Sequence, residues 1–560
     1  MFAPPHEHRN AREQFSAHPS TMTAVAQPEQ GYYSHYQLGN HFKQSGNPIQ
    51  AQIEYQAAIR EVEHLRAQCV IDQRAHFLLD KQKLYEEMVD LCLSLQQPAE
   101  ALAYAEMVKS RTLHDLLAMQ MDLDTQVQNP ANKSWVATLR NLRQFHAQLV
   151  ESYQEPTQST IRGGIVAQSQ PAAIQRVITY FEQRITTLWQ NLVARNVGHL
   201  PKTVSPPIPV LAVQTCLQPD TALVEYFVIQ EKLIAFVVTP DQVYAQRLPI
   251  TLAQVQRLLR FLQLNLKTVT HSAPEHLENL THNAQQLLAQ LYDGLFVPVQ
   301  ERLAPYQQLI IVPHGPLHQL PFHALHDGQA YLVERYAVNY LPCASLLPYC
   351  TQTHPQRPPK EATAVALGYS AGGRLPHAVT EAKQVAALTQ GEAFLEETAT
   401  IARLRQVAAT CRLLHLSTHG NFRDDNPLFS GLALADGWLT SLDIFEMRLR
   451  ASLVTLSACQ TGRHVIGGGD ELLGLIRALL ATGTATVVGG LWAVEDRATA
   501  CLMSCFYGKL AAGSTKGEAL RYAQLALLKG DHEAGAKADA PYRHPYFWAP
   551  FFLMGDAGAL

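Results

Sequence analysis

The sequence has little net charge and no long apolar run. Its 44 Lys and Arg residues nearly balance 48 Asp and Glu residues, which leaves a formal charge of -4 at pH 7. Such a balance creates no global field that would attract nucleic acid or an anionic membrane, and no basic run would do so locally. The sequence also lacks the roughly 18 consecutive apolar residues of a membrane span. These absences predict no direct nucleic-acid partner and no membrane association.

Targeting and disulfide signals are lacking too. The opening residues, MFAPPHEHRN, do not have the charged-then-apolar order of a secretory signal, which predicts a cytoplasmic location. The nine cysteines are an odd number and form no C-x-x-C pair. This scatter indicates free thiols rather than a disulfide framework or a zinc ribbon.

Several catalytic and cofactor motifs are missing. Gly467-Gly468-Gly469 is not followed by the GK[ST] of a phosphate-binding loop, and no G-x-S-x-G elbow of a serine hydrolase occurs. A metal set of His415, His419, Cys459 and His464 is conceivable, since residues four apart on a strand share a face. A histidine inside an apolar run such as that of His415 is more often a hydrogen-bonded core residue. The sequence therefore predicts neither a cofactor nor a metal.

The chain of 560 residues exceeds the roughly 250 to 300 residues of a single core, so two or three folded units are expected. Residues 1–30 have no apolar periodicity and are predicted to be a disordered tail. Residues 31–200 show helical patterns. Residues 206–300 begin with three short apolar runs that predict a β-meander. Residues 301–560 alternate strands and helices.

The helical region contains a repeat pattern. The residues that fall at the offsets of the 34-residue tetratricopeptide (TPR) consensus are Leu38, Gly39, Phe42, Ala51, Tyr55 and Ala58. A weaker echo runs from Met88 and Cys92 to Ala101 and Ala105. An ordinary helical bundle is the alternative. Stacked repeats present concave surfaces, so the pattern predicts binding of a protein substrate or regulator through the helical region.

The C-terminal region predicts an α/β fold. Uninterrupted apolar strands that alternate with helices are typical of a mostly parallel sheet with helices on both faces. Ligands of such sheets bind at the carboxyl ends of the strands. Two strand phrases end in reactive residues at this position: RLLHLSTHG contains His419, and SLVTLSACQTG contains Cys459.

A cysteine and a histidine at neighbouring strand ends suit nucleophilic catalysis. Only the thiolate attacks a carbonyl, and a histidine can take the thiol proton and later return it. The backbone amides of Gly420 and Cys459 could hold the developing oxyanion. The competing interpretation is that Cys459 is a packing residue, since cysteine is among the most buried residue types.

The C-terminal region of the sequence resembles a known family. The phrases LIIVPHGPLHQLPFHAL, YLVERYAVNYLPCASLL, LGYSAGGRLPHAVTEAK, LLHLSTHGNF, NPLFSGLAL, LSACQTG, GLWAVEDRAT and HPYFWAPFFLMGD occur in the order of the CHAT family, caspase-like proteins associated with TPR repeats. The resemblance covers residues from about Leu309 to Asp556. It implies a caspase-like α/β domain in which His419 and Cys459 form a catalytic dyad.

The resemblance also suggests residues around the substrate. Trp492, Glu495 and Asp496 are expected near the cleft. Candidates for an acidic pocket that would accept Arg or Lys are Asp424, Asp425, Asp470 and Glu471. Two of these candidates have a plainer interpretation, because Asp470 and Glu471 stand where a helix begins and would complement its dipole.

Two functions follow as hypotheses. The first is a regulated cysteine endopeptidase that cleaves a specific protein partner through the dyad. The second is a non-catalytic caspase-like scaffold that docks protein partners, since fold does not imply function. The substrate, the activating signal and the oligomeric state are not indicated by the sequence.

Overall fold

The structure is a computed structural model. It describes the following residues: 28–68, 81–119, 129–130, 132–154, 170–197, 209–351, 363–421, 423, 426–449, 451–459, 469–493, 495–530 and 541–560. No helix among these residues is both long enough and apolar enough to cross a membrane. The chain divides into two compact units, Met1–Gln96 with Lys202–Val204, and Gln97–Pro201 with Ser205–Leu560.

The first unit is helical. Its helices are α1 (Pro28–Gln44), α2 (Pro48–Gln68) and α3 (Gln82–Ser94). Gly39 of α1 lies against the ring of Tyr55, where an added Cβ would come within 2.4 Å of a ring carbon. The repeat pattern thus has a physical basis, because only glycine lets α1 and α2 approach this closely.

The second unit contains the remaining helices and all the strands. The helices longer than five residues are α4 (Pro98–Met119), α5 (Lys133–Gln154), α6 (Gln170–Val197), α7 (Leu252–Val269), α8 (Leu277–Leu295), α9 (Val297–Leu303), α10 (Pro376–Thr389), α11 (Ile401–Val407), α12 (Gly469–Ala481), α13 (Asp496–Ala511) and α14 (Lys516–Lys529). The short ones are Val210–Gln214, Leu347–Thr351, Ser441–Phe445 and Pro545–Trp548.

The strands are β1 (Thr221–Ile229), β2 (Lys232–Val238), β3 (Val243–Thr251), β4 (Gln308–Val312), β5 (Ala337–Tyr340), β6 (Ala364–Gly368), β7 (Glu392–Leu395), β8 (Leu413–Asn421), β9 (Gly431–Leu434), β10 (Gly437–Thr440), β11 (Leu453–Cys459), β12 (Thr486–Gly490) and β13 (Phe551–Gly555). They form one 13-stranded sheet in the order β7-β6-β8-β11-β12-β13-β5-β4-β1-β2-β3, with the β9–β10 hairpin continuing from the end of β8.

The direction of the strands divides the sheet into two parts. Strands β6, β7, β8, β11 and β12 are parallel. Strand β13 is antiparallel to β12, and β5, β4 and β1 follow the direction of β13. Strands β1 to β3 form an antiparallel meander. The carboxyl ends of β8 and β11 therefore lie at the edge opposite to the carboxyl ends of β4 and β5.

Buried charged groups attach helix α4 to the edge of the sheet formed by the carboxyl ends of β4 and β5. The Lys109 ammonium lies 3.2 Å from a carboxylate oxygen of Glu225 in β1 and donates to the carbonyl oxygen of Pro313 at 3.1 Å. The Glu106 carboxylate accepts from the backbone amides of Ala344 and Ser345 at 3.0 and 2.7 Å. Helix α4 is thereby part of the same compact unit as the sheet.

Candidate active site

The two predicted dyad residues stand side by side in the sheet. Strands β8 and β11 are parallel, and their register pairs the Cα of Cys459 with the Cα of His419. Neighbouring strands lie about 4.8 Å apart, and register partners of a parallel pair occupy the same face. His419 is 9% exposed. The backbone therefore places both residues at adjacent positions on one face, where the two strands end.

Polar residues continue along this face toward the interior. Ser417 is paired with Ser457, and His415 with Thr455, two and four residues before the dyad positions. Nε2 of the fully buried His415 lies 2.8 Å from Oε1 of Glu381, within hydrogen-bond distance. Three register pairs of polar residues thus form a polar stripe that ends at the dyad positions.

The inner end of this polar stripe is closed by hydrogen bonds. Nδ1 of His415 lies 3.1 Å from the Tyr507 hydroxyl, which donates to Thr455 Oγ1 at 2.7 Å. Burial raises the pKa of Tyr507, so its phenol stays protonated. His415 is therefore the hydrogen-bonded core histidine that its position in an apolar strand predicted.

A small cavity lies over the middle of the stripe. It lies between β8, β11 and the N-terminal parts of α10 and α13, and it has room for about one water molecule. The residues that line it are Leu375, His377, Ala378, Glu381, Ser417, Ser457 and Thr499. Most of these groups can form hydrogen bonds, so the cavity next to the dyad positions is polar.

Two of the predicted pocket residues, Trp492 and Glu495, can be placed relative to the dyad positions. Trp492 follows the carboxyl end of β12, and its indole Nε1 donates to the carbonyl of Tyr546 at 3.0 Å. Glu495 is exposed at the N-cap position of α13 and makes no capping bond with its side chain. Both belong to the edge that carries the dyad positions.

The remaining pocket candidates are less fully described. Asp424 and Asp425 lie outside the described residues. The backbone of Asp470 and Glu471 forms the first turn of α12. The structure therefore gives no contact that would assign any of these four carboxylates to a pocket.

The cavity residues were missed by the sequence analysis, although a signal for them was present. In HLSTH and TLSAC every second residue is polar, which is the alternation expected of a strand with one polar face. Glu381 had no such signal. Its place depends on how α10 packs on the sheet.

Three other thiols of the second unit have environments unlike that of a nucleophile. Burial raises the pKa of Cys411 to about 12 and that of Cys343 well above its ordinary value. Burial also raises the pKa of Cys501. These thiols stay protonated at neutral pH, which suits a packing role.

The second unit has an α/β fold, in which helices flank a mostly parallel sheet whose strands reverse direction at one side. The family is more specific. Residues 285–556, slightly less than half of the chain, match the family model of the CHAT domain, which is the family that the sequence motifs predicted.

Curated relatives carry repeats in their name. Tetratricopeptide repeat protein 28 of Homo sapiens is 24% identical over 335 residues, which are 49% of this chain and 13% of the relative. The Mus musculus protein of the same name is 25% identical over 357 residues, or 52% of this chain and 14% of the relative. The chain thus spans a small part of the length of these relatives.

Two solved structures whose backbones align with this chain are a separase complex and a cysteine proteinase. The Saccharomyces cerevisiae separase–securin complex aligns with 98% of this chain and 48% of its own, at 12% identity and a TM-score of 0.44. The Arg-specific cysteine proteinase gingipain R aligns with 50% of this chain and 69% of its own, at 12% identity and a TM-score of 0.32. Scores this low carry no argument about activity.

Proposed function

We propose that this protein is a regulated cysteine endopeptidase that cleaves a specific protein partner through Cys459 and His419. The observation that carries this proposal is the register pairing of the two residues at the carboxyl edge of the parallel strands β8 and β11. A nucleophile and its base must lie within hydrogen-bond reach, and adjacent positions on one face of a sheet meet that requirement. The helical repeats would bind the substrate or a regulator.

The proposed reaction needs no group beyond the dyad and the backbone. His419 takes the proton of the Cys459 thiol, and the thiolate attacks the carbonyl carbon of the scissile peptide bond. Backbone amides of Gly420 and Cys459 would donate to the oxyanion. His419 then protonates the leaving amine, and water hydrolyses the thioester and regenerates the thiol.

The polar cavity is proposed as the inner end of a substrate pocket, which only the polar tip of a substrate side chain would enter, because the cavity holds about one water molecule. It begins one register pair before the dyad, so a side chain next to the scissile bond would reach it. Ser417, Ser457 and Glu381 would offer hydrogen-bond partners to that side chain. A polar or donor-bearing group fits this lining better than an aliphatic one, because buried polar groups need partners.

A thiol-directed peptide probe tests the proposal. A peptidyl acyloxymethyl ketone should label the wild-type protein at Cys459 only, as mapped by mass spectrometry of the digested adduct. Labelling should vanish in Cys459→Ala and fall strongly in His419→Ala, because removing either member of such a pair costs about as much as removing both. Cys411→Ser is the matched control and should label normally.

Fragment termini then identify the substrate. Proteomic comparison of cells that express wild type or Cys459→Ala should reveal cleavage sites present only with the wild type. A wild-type protein whose Cys459 resists the probe while binding partners through its helices would instead support the caspase-like scaffold.

A further inference from the structure

The loop that follows the histidine strand is held by two helices of the helical region. The Arg423 guanidinium, two residues beyond β8, donates to Oε1 of Glu182 in α6. Nε2 of His146 in α5 lies 3.2 Å from the same oxygen. At the other end of the loop, the Phe429 ring packs on His146 with 5.0 Å between ring centroids. One end of the loop therefore contacts α6, and the other end contacts α5.

The contact at Glu182 depends on charge. Glu182 is only 2% exposed. Burial alone would raise its pKa, but the hydrogen bonds from His146 and Arg423 hold the pKa below its ordinary value. A buried carboxylate of this kind is stable only while its partners remain, so Arg423 and Glu182 hold each other in place.

The same loop determines the geometry of the hairpin that carries His419. The backbone amide of Arg423 donates to Ser430 Oγ at 2.9 Å. Gly420 is paired with Leu432, and Asn421 with Gly431, in the short ladder between β8 and β9. His419 therefore directly precedes this ladder and lies four residues before Arg423.

We propose that Glu182 and His146 are positioning residues, which fix His419 relative to Cys459 by clamping the β8–β9 loop through Arg423 and Phe429. The clamp rests on the proposed function, because it matters only if the two residues react as a pair. The clamp gives α5 and α6 a part in positioning His419, whereas stacked repeats alone would only bind a partner.

A second ion pair on α5 provides a matched control. The Arg143 guanidinium donates to Asp443 and Glu446, which lie in and just after the short helix Ser441–Phe445. This pair also joins the helical region to the α/β domain through buried charge. It does not involve the loop after His419.

The test is the pH profile of iodoacetamide alkylation at Cys459 in the full-length protein. Rates are measured from pH 5 to 9 by mass spectrometry of the Cys459 peptide, with the half-buried Cys216 as internal reference. Only the thiolate reacts, so a histidine-paired Cys459 should alkylate at pH 6 about tenfold or more faster than Cys216. Glu182→Gln should reduce that advantage at least about tenfold, since small displacements of paired groups are costly.

Additional variants separate positioning from folding. Arg423→Lys should retain more of the low-pH reactivity than Arg423→Met. The double variant Glu182→Gln/Arg423→Met removes both charges, so it tests the clamp without a lone buried carboxylate. Glu446→Gln should leave the pH profile of Cys459 unchanged, and Tm is measured for every variant.

The outcomes distinguish the two proposals. Wild-type Cys459 that alkylates like Cys216 across the range would overturn the proposed function and the clamp together. A wild-type advantage at low pH that persists in Glu182→Gln and in the double variant would overturn the clamp alone. Equal loss in Glu446→Gln and Glu182→Gln would also overturn it, since any loosening of the helices would then suffice.

Discussion

At the scale of single residues, the polar stripe shows how a mostly apolar sheet can carry polar groups to its edge. His415, Ser417 and their partners replace aliphatic side chains on one face only, and the buried members at the inner end are satisfied by Glu381 and Tyr507. Satisfied buried polar groups make an arrangement rigid and specific. The polar stripe is therefore a rigid part of the sheet next to the dyad positions.

The cavity over this stripe gives a residue-scale prediction. Ser457→Leu should fill the cavity and exclude a substrate side chain, so cleavage of the natural protein substrate should fall more than about tenfold. Alkylation of Cys459 by iodoacetamide should change little, because so small a reagent does not need the cavity. Comparing both rates in one preparation checks this.

Thr499→Ser serves as the control for the cavity, since it keeps a hydroxyl in the lining and adds no volume. If Ser457→Leu cleaved the protein substrate at the wild-type rate, the cavity would have no part in substrate binding.

At the scale of elements, α4 differs from an ordinary docked helix because buried charged groups join it to the sheet. Lys109 is 8% exposed at the side chain, and Glu225 is fully buried. Burial raises the pKa of Glu225 well above its ordinary value, with the nearby Glu106 adding to the effect and Lys109 opposing it. Lys109 offsets part of the cost of burying Glu225, so α4 and β1 are coupled.

Loss of this cation should be costly. Lys109→Met should lower the free energy of unfolding of the second unit by about 3 to 5 kcal/mol, as expected when one partner of a buried pair is removed. Lys43→Met in α1 is the comparison, because Lys43 pairs with Glu87 and Asp90 while 31% exposed. Its cost should stay within about 1 kcal/mol. Guanidinium denaturation measures both.

Should the two substitutions cost the same, the Lys109 network would be no stronger than a surface ion pair. The protonated fraction of Glu225 would then be the first quantity to determine.

At the scale of the whole molecule, the compact unit that contains the sheet begins at Gln97. A chain of residues 97–560 should therefore fold, and its Cys459 should react with iodoacetamide as in the full protein. A chain of residues 206–560 lacks Lys109 and Arg143, which leaves Glu225, Asp443 and Glu446 without these partners. It should aggregate, as size-exclusion chromatography will reveal; a monomeric, cooperatively melting product would contradict this prediction.

Acid sensitivity is a second property of the whole molecule. Burial lowers the pKa of His314 to about 3, and those of His323 and His544 to about 4. Between these pKa values and about 6.5, the unfolded chain binds more protons than the folded chain. The contribution of these histidines to the free energy of unfolding is therefore fully present above about pH 6.5 and is lost as the pH falls. Each histidine should contribute about 1 kcal/mol of loss per pH unit in that range.

The histidine prediction is checked by thermal melts between pH 4 and 7. His314→Leu should flatten the acid slope, because Nδ1 of His314 is buried without a hydrogen-bond partner among the described residues. Replacement of the exposed His271 should leave the slope unchanged. An unaltered slope in His314→Leu would show that other groups cause the acid loss.

The sequence by itself determined the local structure and singled out the two residues that we propose as the reactive pair. Apolar runs and their period located β8 and β11. Gly39 marked the close approach of α1 and α2. The THG and SACQTG phrases singled out His419 and Cys459. These features depend on residues close in sequence. Their signals are therefore complete within a short window.

Only the tertiary structure decided which distant residues meet. The register that pairs Cys459 with His419, the placement of Glu381 under the cavity, the reversal of strand direction at β13 and the contact of Glu182 with Arg423 all join segments far apart in the chain. A buried carboxylate and a surface carboxylate look the same in a sequence. Their difference arises from packing, because burial and partners are fixed only when the helices dock on the sheet.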